Sequence, residues 1–140
     1  MVCVTFTCCV KDRKPAFRQV RTVAAIRDSL QRAIDKDAVK NWVYVFMTDH
    51  LHFILEGQTQ QADLWQVVYS FKTSSGMWFR RHRPDMKWQK DYYDYIHRAE
   101  GDLDKHIGYL LENPIRAGLV ANWEDYPYTG SLDYDLREIV

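Results

Sequence analysis

The chain lacks what a disulfide framework, a membrane span or a linker would require. Its three cysteines, Cys3, Cys8 and Cys9, all sit in the first strand-like segment of 140 residues. An odd, crowded set argues against paired disulfides and reads as small buried hydrophobes. The longest apolar region, residues 42–55, is broken by Asp49, His50 and His52, so no stretch is long enough to cross a bilayer. No basic cleaved leader is visible, which gives the expectation of a cytoplasmic protein without a membrane partner. Low-complexity tracts, short repeats and internal linkers are missing too, and residues 1–140 read as one domain. Excess charge is also absent: 19 Lys/Arg balance 19 Asp/Glu, which counts against nucleic-acid binding by total charge.

The distribution of charge points the other way. Residues 1–40 hold nine Lys/Arg, Arg13 and Lys14 among them, against four Asp/Glu. Residues 72–90 hold Lys72, Arg80, Arg81, Arg83, Lys87 and Lys90 against Asp85 alone, while acids gather in 91–104 and 121–140. Opposed blocks can leave one face positive enough to hold phosphates; they fit a solvated helix face as well. Trp78, Phe79 and Trp88 interleave with the second basic block, and such rings either stack on bases or fill a core.

Residues 2–10 alternate and are rich in β-branched residues, predicting a strand. Residues 19–36 place Val23, Ile26, Leu30, Ala33 and Ile34 at helical steps. Strands are predicted over 42–47 and 50–56, joined tightly at Thr48-Asp49. A helix over 63–81 carries Leu64, Val67, Val68 and Phe71 inward, with Ser74-Ser75-Gly76 weakening its middle. The aromatic stretch 88–98 ends in a strand. A last helix over 102–112 is predicted to stop at Asn113-Pro114, since the residue before proline disfavours helical geometry. The order predicts an α+β, ferredoxin-like split βαβ antiparallel sheet with an additional C-terminal helix.

Two constellations could carry chemistry. On a strand, His50 and His52 share one face while Leu51, Phe53 and Leu55 share the other. Two imidazoles so placed can offer nitrogens to one divalent ion; the same spacing also fits two partly exposed histidines. On the last helix, Lys105, Tyr109 and Asn113 are spaced i, i+4, i+8 beside an apolar stripe of Leu103, Ile107, Leu110 and Leu111. Tyr109 then sits at the margin of the buried face, and Asn113 could add an oxygen to a metal shell. The alternative is a core tyrosine followed by a capping asparagine.

The segment Phe46-Met47-Thr48-Asp49-His50-Leu51-His52-Phe53 resembles the His-hydrophobic-His motif of the HUH nucleases. The rest resembles a narrower group, the single-tyrosine transposases of small insertion sequences and especially the REP-associated tyrosine transposases. Trp88-Gln89-Lys90-Asp91-Tyr92-Tyr93 is similar to that group's tryptophan-glutamine segment before an aromatic pair. The run from Tyr109 through Asn113, Pro114 and Gly118 to Val120 resembles its tyrosine helix and the following turn, and Asp125-Tyr126-Pro127-Tyr128 its aromatic tail. Two positions depart: Thr48 replaces a usual proline, which loosens the turn before the histidines, and Tyr95 replaces a common histidine.

The resemblance implies a metal-dependent single-strand DNA endonuclease and strand transferase. His50, His52 and Asn113 would hold Mg2+ or Mn2+, and Tyr109 would attack to leave a 5′-phosphotyrosine bond and a free 3′ hydroxyl. A phenol ionises only in alkaline solution, so the nucleophile needs help at neutral pH. No dedicated base is evident; Lys105 is the candidate for stabilising a phenolate. Single-stranded or hairpin DNA is the implied partner, with phosphates held by Arg13, Lys14, Lys72, Arg80, Arg81, Arg83, Lys87, Lys90, Lys105 and Arg116. A homodimer exchanging the tyrosine helix and a monomer both fit. So do two other functions: a DNA-binding module that has lost transposition, and a hydrolytic phosphodiesterase in which Tyr109 is structural.

Overall fold

Alternating strands and amphipathic helices build the expected order, and the computed structural model describes residues 1–140. Strand β1 (Cys3–Cys9), helix α1 (Val20–Asp35), strands β2 (Val39–Phe46) and β3 (His50–Gly57), helix α2 (Leu64–His82) and strand β4 (Tyr93–Ile96) form the double split unit. Helix α3 (Asp102–Arg116), the short strand β5 (Thr129–Gly130) and helix α4 (Leu136–Ile139) follow. The sheet order is β4-β1-β3-β2-β5, antiparallel throughout, with β3 at its centre.

The two faces of the sheet have separate cores. Val4, Phe6 and Cys8 of β1 join Leu51, Phe53 and Leu55 of β3 under α1 and α2, where Ile26, Leu30, Val68 and Phe71 are sealed from solvent. Removing a side chain of that size from water stabilises the fold by about 1.5–3 kcal/mol. On the opposite face, Val43, Val45 and Ile54 pack with Ile107, Leu110 and Leu111 of α3, and with Tyr126 and Leu136. The three cysteines are buried free thiols, and burial pushes those of Cys3 and Cys8 up to about 12.

Helix α3 does not stop at Asn113-Pro114. It runs one further turn, to Arg116, with Pro114 inside it and buried. Pro114 forfeits one amide donor, and its burial beside Leu110 and Leu111 outweighs the local preference. The true stop is Gly118. At φ 76° it adopts the left-handed conformation, its amide donates to Ile115 O, and the Leu119 amide donates to Pro114 O. This paired arrangement is a Schellman cap.

Two other boundaries move for tertiary reasons. Strand β2 begins three residues before its predicted start, across an irregularity between Asn41 and Val43. The fully buried Asn41 amide donates to Val43 O and Ile54 O and accepts from the Leu132 amide, so a loop-like residue becomes a strand staple. Helix α2 continues unbroken through Ser74-Ser75-Gly76. There the Ser75 hydroxyl donates to Phe71 O at 2.6 Å and accepts the Trp88 indole N–H at 2.8 Å.

Candidate metal and tyrosine site

His50 and His52 lie on the α3 side of the central strand, as alternation requires. Their Nε2 atoms are 3.1 Å apart. Two cis ligands about 2.1 Å from an octahedral ion are about 3.0 Å from each other, so the spacing matches one divalent cation. The outward nitrogens are held from behind. His50 Nδ1 meets Asp49 Oδ1 at 2.6 Å, and His52 Nδ1 meets Thr7 Oγ1 at 2.7 Å. A carboxylate only accepts, so His50 Nδ1 carries a proton, and in the neutral ring the lone pair is at Nε2. The Thr7 hydroxyl decides the rest. When it accepts from His52 Nδ1–H, two lone pairs converge and a cation is needed between them. When it donates, His52 Nε2–H closes a hydrogen bond to His50.

Burial first, then the charges of His50, Arg116 and Arg13, push His52 down to about 3. The ring is therefore neutral across the physiological range, as a ligand must be. No three His, Cys, Asp or Glu side chains are arranged to hold one metal ion, so a third protein donor beside the histidine pair would be of another type, such as an amide oxygen.

The turn before the histidines is firm although Thr48 lacks proline's restriction. Thr48 O accepts from the Phe17 amide, Asp49 O from the Val10 amide, and the Met47 amide donates to His50 O. Arg13, at φ 56°, occupies a left-handed conformation that side chains rarely adopt. Held there, it reaches Cys9 Sγ at 3.0 Å and Asp49 Oδ2 at 3.5 Å.

Helix α3 brings Tyr109 to the same place. Tyr109 is 59 % exposed, and it lines a cavity of about 210 Å³ with His52, Thr5, Thr7, Tyr93 and His106. Arg116 lies 4.1 Å from the Tyr109 ring centre and donates to Tyr109 O at 3.0 Å. The same guanidinium reaches Asn113 Oδ1 and Glu112 Oε2, each at 3.4 Å. Asn113 is thus on the expected helix, with its oxygen turned to Arg116. Lys105 lines a second hollow with Tyr109, His106 and Glu112.

The basic block forms a groove of about 720 Å³ between α2 and residues 84–90, lined by Lys72, Arg80, Lys87 and Lys90. Not all of its cations are available. Lys72 Nζ donates to Gln89 O and Lys90 O, Lys14 Nζ to Asp85 O, and Arg83 to Gln19 Oε1 and Thr22 Oγ1. Arg81 is exposed and stands apart from the groove lining. Phe79 and Trp88 are core residues at 0 % and 9 % exposure, which removes them as base platforms; Trp78 stacks on His82.

Sequence reading missed Tyr93. It is 67 % exposed and borders both the tyrosine cavity and a pocket shared by His50, His52, Arg13 and Gln89. Strand alternation from Tyr93 to Tyr95 was the available signal. Gln89 lines that histidine pocket and the basic groove, so the two adjoin along one residue.

Residues 2–109 match the family described as transposase IS200 like. Over 50 residues the chain is 30 % identical to a Haemophilus influenzae protein assigned as a REP-associated tyrosine transposase, a segment covering 36 % of this chain and 28 % of that relative. The fold is similar to that of a REP-associated tyrosine transposase solved bound to a REP hairpin. The TM-score is 0.78 at 17 % identity, over 91 % of this chain and 75 % of the other. A structure from Deinococcus radiodurans, assigned as a transposase, gives a TM-score of 0.59 at 16 % identity over 76 % of this chain and 86 % of that one. At such identities these two structures establish the fold. No helix is long and apolar enough to cross a membrane.

Proposed function

The chain belongs to the IS200-like transposase family, and on that premise we propose that it nicks and rejoins single-stranded DNA beside a hairpin, with Tyr109 as nucleophile. The observation that carries this reading is the shared cavity of Tyr109 and His52, beside a pair of Nε2 atoms set at a chelating distance.

His50 and His52 would hold Mg2+ or Mn2+ through Nε2, with Asn113 Oδ1 joining them once Arg116 turns away. When bound, the ion supplies Lewis-acid neutralisation of the scissile phosphate. Tyr109 attacks phosphorus, the bond from phosphorus to the 3′ oxygen breaks, and the products are a 5′-phosphotyrosine and a 3′ hydroxyl. That linkage conserves the phosphodiester for rejoining. Thr7 and Asp49 fix the imidazole orientations throughout.

DNA would lie along the groove of Arg80, Lys87 and Lys90 and pass Gln89 to reach the histidines. Exposed Tyr93 offers an unpaired base a stacking surface at the cavity mouth. The similar fold solved with a REP hairpin makes hairpin DNA the first substrate to test.

The test uses end-labelled hairpin oligonucleotides with single-stranded flanks, incubated with Mn2+ and either the wild type or Tyr109→Phe. A covalent adduct that vanishes in the variant supports the proposal. Binding without cleavage supports a module that has lost transposition, and cleavage surviving the substitution supports a hydrolytic phosphodiesterase.

A further inference from the structure

Behind Tyr109 lies a second polar cluster that the histidine pair does not include. His97 Nε2 meets Thr5 Oγ1 at 2.7 Å, and Thr5 Oγ1 meets His106 Nδ1 at 3.3 Å. The His106 ring is clamped, stacked on Tyr95 at 4.5 Å and tilted against His97 at 4.6 Å. His97 Nδ1 is buried with no protein partner.

That orphan nitrogen sets the direction of the chain. A buried N–H without an acceptor is costly, so His97 Nδ1 keeps a lone pair and the proton resides on Nε2. His97 Nε2–H then donates to Thr5, the Thr5 hydroxyl donates to His106 Nδ1, and neutral His106 carries its proton on Nε2. The Nε2–H is left without a protein acceptor, on a ring that lines two cavities together with Tyr109.

The helix supplies the proximity. His106 and Tyr109 are i, i+3 neighbours on α3, and helical side chains lean over the turn N-terminal to their own Cα. Both side chains line the same two cavities, one with His52 and one with Lys105. We propose that His106 is a further catalytic residue, whose Nε2–H donates to the Tyr109 oxygen as that oxygen becomes anionic; this rests on the nucleophile assignment made above. Tyr109 gives its proton to solvent, the phenolate forms its bond to phosphorus, and the 3′ oxygen leaves with the electron pair and takes a proton from solvent. On rejoining, the same donor stabilises the phenolate that departs.

The charged surroundings agree. Burial holds both histidines below their ordinary range, with Lys105 lowering His106, His106 lowering His97, and Asp102 opposing each. Tyr95 and Tyr93 from β4, and His52 from β3, are the other titratable groups on this cavity besides Asp94, whose carboxylate is engaged by the Trp65 indole.

The experiment follows the covalent adduct on a labelled hairpin oligonucleotide with Mn2+. It compares wild type, Tyr109→Phe, His106→Phe and His106→Gln over a range of pH, with melting temperature and hairpin affinity recorded for each. His106→Phe keeps the stack on Tyr95 without the donor and should slow adduct formation at least about tenfold. Its pH–rate curve should rise about one pH unit later than that of the wild type. His106→Gln restores an N–H donor and should recover most of the rate. If His106→Phe does not fold, His106→Met serves as the donorless variant. A donorless variant as fast as wild type overturns the proposal in favour of packing alone; a glutamine variant as slow as phenylalanine overturns it in favour of a proton acceptor. An adduct absent from wild type, or surviving in Tyr109→Phe, sinks the nucleophile assignment and this inference with it.

Discussion

Thr7 stands behind His52, its hydroxyl 2.7 Å from Nδ1, and through that contact governs whether the facing Nε2 atoms repel or bond. Outer partners of this kind are worth about 10–100-fold in metal affinity. Thr7→Val should weaken Mn2+ binding by that order while leaving the fold intact. Calorimetric titration with Mn2+ measures it; unchanged affinity would exclude the orienting role.

The groove cations divide into free and engaged. Arg80→Ala or Lys87→Ala should each weaken hairpin binding and reduce the slope of log affinity against log salt by about one. Lys72→Ala should lower the melting temperature instead, since its ammonium ties Gln89 and Lys90 to α2. Salt-series binding and thermal melts separate the two classes.

Tyr126 donates to Phe46 O at 2.5 Å in the α3-side core. Tyr126→Phe leaves that carbonyl unpaired and should cost about 1–3 kcal/mol by denaturant unfolding. Burial, then the neighbouring Tyr128, pushes the Tyr126 phenol up to about 12 from 10.0. Its folded value lies above its unfolded one, so the associated stability is complete below pH 10 and is lost as pH rises toward 12. Unfolding curves across that alkaline window should flatten in Tyr126→Phe.

Gly118→Ala places a side chain at φ 76° in the cap of α3. A destabilisation of about 1–2 kcal/mol is expected from the left-handed conformation alone. If Gly118→Ala melts with the wild type, the cap is not what ends the helix.

Because Tyr109 and His52 line one cavity within a single chain, a site can assemble without helix exchange. Mixing His50→Ala with Tyr109→Phe should then fail to restore adduct formation. Recovery of activity in the mixture would place the tyrosine in a partner's site.

Much of this was legible in the sequence because it depends on local period. The alternation of β3 separated His50 and His52 from Leu51, Phe53 and Leu55, and helical steps marked the buried faces of α1 and α3. What period could not reveal depends on distant residues. The stop predicted at Pro114 gave way to burial that only docking creates. Trp88 fitted a base platform and a core residue equally until Ser75 claimed its indole. His106 reaches Thr5 across 101 residues of sequence, and no spacing rule joins them.

The split between the two sides of β3 sets which changes this lineage can tolerate. Slipping β3 by one residue would drive imidazoles beneath α1 and α2 and turn Leu51 and Phe53 to the α3 side, where the histidine pair now stands. An insertion or deletion at the Thr48-Asp49 turn would therefore disturb the buried core and the histidine pair in one event. Change falls more lightly on the periphery, where the exposed side chains of residues 84–90 can be replaced while the central strand keeps its count.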